Sequence, residues 1–251
     1  MRDRFGMLRY EHRECVQGVV FVPVDLDSLA SLLPRGLRPM DAAPFHASFA
    51  GHGAIAVIHH LCRGTQPPRL AHSFTLIATP LDSVAIEGRT FGQVRFDWFE
   101  LGRFVDTAPR AAVLRRAGVA ARVAHFSTSA PPSDSAPEAS FAAAEGSDSL
   151  YRFDVVSRTA VDFPPQAHRF WHFRNERFGY SQMTFPLHHS WIGQAPSCSF
   201  YGRLATAKHF GWSPCVEKFA LSELIPNVAF EETIVPMGAA SLRPKRITPS
   251  R

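Results

Sequence analysis

Interruption is the feature that most constrains how this chain can fold. Twenty prolines and sixteen glycines break up a sequence that also carries 21 phenylalanines. Proline fixes φ and removes a backbone donor, so it breaks helix interiors and central ladders. The segments left between breaks are short and rich in aromatic and β-branched residues, which fit a pleated, half-buried surface. Many short strands joined by turns are expected, with few helices. The chain has 251 residues, 45% hydrophobic and 20% charged, which is enough apolar mass for one sizeable core.

Strands are expected over 15–24, 45–50, 53–62, 71–79, 92–100, 119–127, 150–159, 198–205, 215–221 and 228–237. Asp25 or Asp27 caps a short helix through Leu33, because a carboxylate accepts the unpaired amide protons of a first turn. Pro34 and Gly36 end it. A second helix spans 107–117, with Thr107 as cap, Pro109 in the first turn and Gly118 as the stop. Residues 163–191 fit either strands or a short helix near 168–176. The Ser-, Pro- and Ala-rich stretch 128–149 reads as a surface loop or insert. The pattern is one domain over 1–240, mainly β (α+β), a closed or nearly closed β-barrel with a few short flanking helices. Residues 241–251 read as a basic flexible tail.

The formal charge is +5, and only three of the 27 basic residues are lysine: Lys208, Lys218 and Lys245. The arginines are scattered rather than gathered into a stripe, so no nucleic-acid partner is expected. No apolar run is long enough to cross a bilayer, and the first residues lack the apolar core of a signal peptide. Cys15, Cys62, Cys198 and Cys215 share no C-x-x-C spacing, so free thiols in a reducing cytoplasm are expected.

The segment Val19-Val-Phe-Val-Pro-Val-Asp-Leu-Asp-Ser-Leu-Ala-Ser-Leu-Leu-Pro-Arg-Gly-Leu-Arg-Pro39 resembles the entry segment of the acetoacetate decarboxylase-like superfamily, with its L-L-P-x-G-L-x-P. The turn Gly64-Thr-Gln-Pro-Pro-Arg69-Leu-Ala-His72 is similar to the family's turn between paired strands. Arg69 there matches an arginine, but the glutamate is missing. Phe104-Val-Asp106 and the closing segment Phe219–Met237 also resemble the family. Where its decarboxylases read G-x-P-K, this chain reads Gly118-Val-Ala-Ala121, with Arg122 next. The Schiff-base lysine thus falls on Ala121. Arginine cannot replace it, because its guanidinium stays protonated and is not nucleophilic. The resemblance implies the barrel fold, a small carbonyl or hydrophobic ligand as partner, a homo-oligomer, and chemistry without that Schiff base.

The expected activity is acid–base catalysis on a small or polyketide-like carbonyl or keto-acid compound, without cofactor or metal: decarboxylation, dehydration, isomerisation or cyclisation. The alternatives are a non-catalytic binder and a decarboxylase using Lys208 or Lys218. Candidate acids and bases are His72, His125, Asp97 and Glu100. Candidate substrate-binding residues are Arg69, Arg122, Ala121, Phe96 and Trp98. Asp97 and Glu100 are three apart, as are Arg122 and His125, so a regular strand puts each pair on opposite faces. His59-His60 and His188-His189 should diverge for the same reason. The spacing of His168, His172 and Glu176 would line one helical face, but Pro164-Pro165 argues for extended chain and no metal site is expected.

Overall fold

The structure is a computed structural model, described for residues 7–66, 73–82, 84–87, 94–129, 138–174, 177–195, 198–200 and 221–244. In chain order the strands begin with β1 (Leu8–Val24), β2 (Gly53–Gln66), β3 (Ser73–Pro80), β4 (Val84–Glu87) and β5 (Val94–Val105). They continue through β6 (Ala121–Val123), β7 (His125–Ser129), β8 (Glu138–Glu145), β9 (Asp148–Phe163) and β10 (Gln166–Arg174). The last four are β11 (Arg177–Phe185), β12 (His188–Gln194), β13 (Cys198–Phe200) and β14 (Leu221–Pro244). Helix α1 covers Leu26–Ala30 and α2 covers Ala108–Arg116. The expected helices are therefore present. Asp25 caps α1, its Oδ1 accepting from the Ser28 amide at 2.7 Å.

The barrel closes in the order β1-β2-β3-β5-β10-β11-β14 and back to β1. Closure leaves none of these seven strands with an open ladder across the seam, which removes the edge problem of an open sheet. Strand β14 serves two sheets. Its residues 231–240 pair with β11, while 221–224 pair with β12. From β12 a second layer continues through β9 and β8 to β7. It folds over the outer face of β1–β3, and Val20, Val57 and Ile77 pack there against Phe141, Tyr151 and Phe153. Gly18 makes that approach possible: a Cβ there would meet the Phe141 ring at 2.2 Å. Strand β3 is consequently buried at every position, lying between two apolar layers.

Two irregularities re-phase the barrel strands. In β1 the register shifts between His12 and Cys15, where Glu14 takes φ 50°. Tyr10 and His12 are buried before it, and Cys15, Gln17, Val19 and Phe21 after it. In β5 the register against β3 shifts between Gly102 and Glu100, which makes Leu101 an extra residue. A β-bulge of this kind swaps the inward parity of everything beyond it.

Several expectations need correction. Cys15 and Cys62 are not free thiols; they are register partners on β1 and β2 and form a disulfide. The argument for a reducing compartment loses that support. Residues 47–49 form a 3₁₀ turn rather than a strand, capped by His46. Residues 138–145 of the expected loop form β8, and 148–149 begin β9. Residues 241–244 of the expected tail pair with β4. Of the two readings of 163–191, the strand alternative holds over residues 168–174: Gln166–Arg174 and Arg177–Phe185 pair as an antiparallel hairpin. No helix among the described residues is long and apolar enough to cross a membrane.

Candidate functional site

Alternation along β5 and β10 builds one wall of a cavity. The two strands run parallel, with Phe96 opposite His168, Asp97 opposite Arg169 and Trp98 opposite Phe170. Phe96, Trp98, His168 and Phe170 face the interior. Asp97 and Arg169 form an ion pair at 2.9 Å, and the Trp171 Nε1–H also donates to Asp97 at 2.8 Å. The cavity holds about 310 Å³, within the usual range for small-molecule sites. It lies where β14 leaves β11 and takes up β12, so Met183, Phe185, His188, Ile192 and Ile225 complete its walls.

Hydrogen bonds select the neutral tautomer of two cavity histidines. The indole Nε1–H of Trp98 donates to His168 Nδ1 at 3.1 Å. An indole nitrogen is only a donor, so the neutral His168 ring carries its proton on Nε2. His188 Nδ1 lies 2.9 Å from the Pro186 carbonyl, which only accepts. The neutral His188 ring therefore carries its proton on Nδ1 and presents a basic Nε2, with the Gln166 amide 3.5 Å from it. The Phe185 ring touches both imidazoles, with centroids 5.8 and 5.7 Å away. At the same cavity, Glu223 accepts a hydrogen bond from Ser190 at 2.7 Å. His60, also lining it, is fully buried and stacks on Phe74 at 4.3 Å. Burial holds His60 well below the usual imidazole range, and nearby His12, His59 and Arg103 add to the effect against an opposing Glu232.

Further into the barrel is a compact ionic cluster. Arg103 donates to Glu100 at 2.8 and 3.1 Å, to Glu232 at 2.5 Å and to Ser181 at 2.9 Å. Arg110 reaches in from α2 to the other oxygen of Glu232 at 2.9 Å, its guanidinium 4.7 Å from the Phe74 ring centroid. Burial alone would raise the Glu232 carboxyl, but Arg103, the His12 hydrogen bond and Arg110 hold it far below the carboxylate range. Burial raises Glu100, only partly offset by Arg103.

The sequence candidates fall in different places. Phe96 and Trp98 line the cavity. Glu100 belongs to the ionic cluster and Asp97 to the opposite face of β5, as their spacing required. Ala121 is 2% exposed, and its register partner on β5 is Arg103. A methyl group thus stands beside the ionic cluster where the resemblance puts the lysine. Arg122 pairs with Glu145 and lies over the Phe104 ring. His125 is exposed on β7. Arg69, His72, Glu176 and all three lysines lie outside the described residues. Sequence reasoning passed over Gln17, and weighed His60, His168 and His188 only as paired or spaced histidines. His59 does diverge from His60, bonding Tyr151 at 2.9 Å and Thr128 at 3.0 Å in the second layer. His189 diverges from His188 to Asp162 at 2.8 Å.

No protein-family model and no curated protein matches the sequence. Solved structures do resemble it. The enduracididine biosynthesis enzyme MppR, complexed with the condensation product of pyruvate and imidazole 4-carboxaldehyde, aligns at TM-score 0.57 and 17% identity, over 94% of this chain and 89% of that one. An acetoacetate decarboxylase-like enzyme from Sphingomonas wittichii RW1 aligns at TM-score 0.55 and 13% identity, over 91% of each chain. The acetoacetate decarboxylase of Legionella pneumophila subsp. pneumophila str. Philadelphia 1 aligns at TM-score 0.57 and 11% identity, over 92% of this chain and 86% of that one. The closed barrel described above is the acetoacetate decarboxylase-like fold.

Proposed function

We propose that the protein is an enzyme that enolises a small, largely apolar carbonyl compound by acid–base catalysis in the cavity between β5, β10, β11 and β12. The observation that carries this reading is the pair of opposed tautomers: a protonated Nε2 on His168 and a basic Nε2 on His188. His188 takes a proton from the carbon beside the carbonyl, breaking that C–H bond as an N–H bond forms. His168 donates its Nε2 proton to the carbonyl oxygen, which becomes the enol hydroxyl. Isomerisation, cyclisation or dehydration can follow from that enol, and none needs a Schiff base. Phe96 and Trp98 serve as binding surface in this scheme. Ala121 agrees with a route without a Schiff base, since a methyl group cannot form an imine.

The test measures deuterium exchange beside the carbonyl in a panel of aromatic and alicyclic ketones, with borohydride present in parallel samples. Exchange without a covalent adduct is expected. His188→Gln should slow it by about a hundredfold or more, the usual weight of a general base. An adduct on a lysine would instead support Lys208 or Lys218 as a Schiff-base residue. Ligands bound but left chemically unchanged would make the protein a binder.

A further inference from the structure

At the cavity, the Gln17 Oε1 and both His60 ring nitrogens have no hydrogen-bond partner among the described residues. Gln17 and His60 are register partners on β1 and β2, so they stand side by side on the barrel's inner face. Gln17 is 6% exposed and His60 is 0% exposed, and among the described residues nothing donates to the Gln17 Oε1 or bonds either His60 ring nitrogen. The Ser222 hydroxyl, which also lines the cavity, is buried and unpartnered too. Buried polar atoms left in this way are costly, and native proteins satisfy nearly all of them with protein, water or ligand. Stacking on Phe74 at 4.3 Å holds the His60 ring in place.

The chemistry of this end is specific. Gln17 Oε1 only accepts. A neutral His60 ring offers one N–H and one lone pair. A group that donates to the Gln17 Oε1 and accepts from the His60 N–H without carrying charge satisfies both, as a hydroxyl does. A carboxylate has no proton for Gln17, and Glu223 at the same cavity adds repulsion. The walls are flat and aromatic: Phe21 stacks on Phe45 at 5.0 Å, and Trp98 on Phe170 at 5.9 Å. The volume of about 310 Å³ equals roughly ten waters at about 30 Å³ each, room for one or two rings.

We infer that the cavity selects an uncharged one- or two-ring compound whose hydroxyl group is buried between Gln17 and His60. The hydroxyl donates to Gln17 Oε1 and accepts from the His60 N–H, while the ring lies against the aromatic walls. This deepens the proposed function by naming the substrate class and rests on the same cavity being the ligand site.

The experiment titrates the full chain with 2-naphthol, 2-methylnaphthalene and 2-naphthoate, three compounds of similar shape, with binding followed by ligand-detected NMR. Naphthol should bind roughly tenfold more tightly than methylnaphthalene, the weight of one to two net hydrogen bonds. Naphthoate should bind more weakly than either. In Gln17→Leu the preference for naphthol over methylnaphthalene should collapse while methylnaphthalene binding stays or tightens. Naphthoate binding as well as naphthol overturns the inference. So does equal binding of naphthol and methylnaphthalene by the wild type, which would mean that water fills this end, and so does the absence of binding by all three. The wild-type comparison decides even if Gln17→Leu does not fold. Naphthol preference together with no ketone exchange leaves this inference standing and removes the proposed enzyme. Ketone exchange together with a preference for naphthoate does the reverse.

Discussion

At the scale of single residues, Arg103 has the most demanding position in the molecule. It is 0% exposed and is the common partner of Glu100 and Glu232. Without that guanidinium Glu100 loses its cation and Glu232 keeps only Arg110, and a buried carboxylate stripped of its partner is costly. Arg103→Met should therefore destabilise the fold by about 3–5 kcal/mol in urea unfolding, even though methionine fits an apolar site well. A loss below about 1 kcal/mol would mean the carboxylates are solvated by routes not evident in the barrel. Arg103, Glu232 and Arg110 were not legible as a cluster in the sequence. Arg103 and Glu232 are 129 positions apart, and arginines and glutamates at such separation look like any solvated surface charge. His188 and His168 were visible as histidines, but their tautomers depend on the Pro186 carbonyl and on Trp98, seventy positions from His168.

At the scale of elements, β1 and β2 form the staple of the barrel. Thirteen registered residue pairs join them, from Glu11 and Gln66 to Val24 and Gly53, and the Cys15–Cys62 disulfide lies in that register. The crosslink closes a loop spanning 47 positions. Replacing both cysteines with alanine should lower stability by about 2–4 kcal/mol, chiefly by freeing the unfolded chain. Denaturation of the oxidised and reduced wild type beside the double variant checks this; three coincident curves would show that the crosslink adds nothing. The helices were readable because their signals are local: Asp25 before α1, and Thr107, Pro109 and Gly118 around α2. Strand faces were not. The irregularities at Glu14 and Leu101 reverse parity in mid-strand, so alternation counted from Leu8 would have turned Gln17 outward. Residues 138–145 read as loop in the sequence because Ala and Ser dominate them. Their strand character comes from pairing with β7 and β9, with Phe141 buried against the barrel.

At the scale of the whole molecule, buried histidines tie stability to pH. Burial lowers His59 to about 3, and burial with Arg103 nearby lowers His172 to about 3. Below the ordinary imidazole value near 6.5 the unfolded chain takes up these protons while the folded chain does not. Stability should thus fall as pH drops from about 6.5 toward 3, by up to about 1.4 kcal/mol per pH unit for each histidine. Glu232 works in the same direction only at lower pH, since its folded value lies far below its unfolded one. Urea denaturation at pH 6.5, 5.5 and 4.5 tests this; a flat profile would show that the two rings are hydrated in the folded state. What the sequence by itself determined is the local grammar: a chain broken by Pro and Gly into strands, two short helices of which Asp25 caps the first while Thr107 makes no capping bond to the second, the L-L-P-x-G-L-x-P entry segment that resembles a known barrel, and the absence of lysine at Ala121. The tertiary structure alone decided which residues meet. β14 closes the barrel against β1 and then diverges from β11 to β12, and that divergence opens the cavity and gathers Gln17, His60, His168 and His188 around it. The reason is physical: strand-forming tendency resides in neighbouring residues, whereas register, bulge phase and closure are set by pairings between separate segments, from β3 with β5 to the distant β1 and β14.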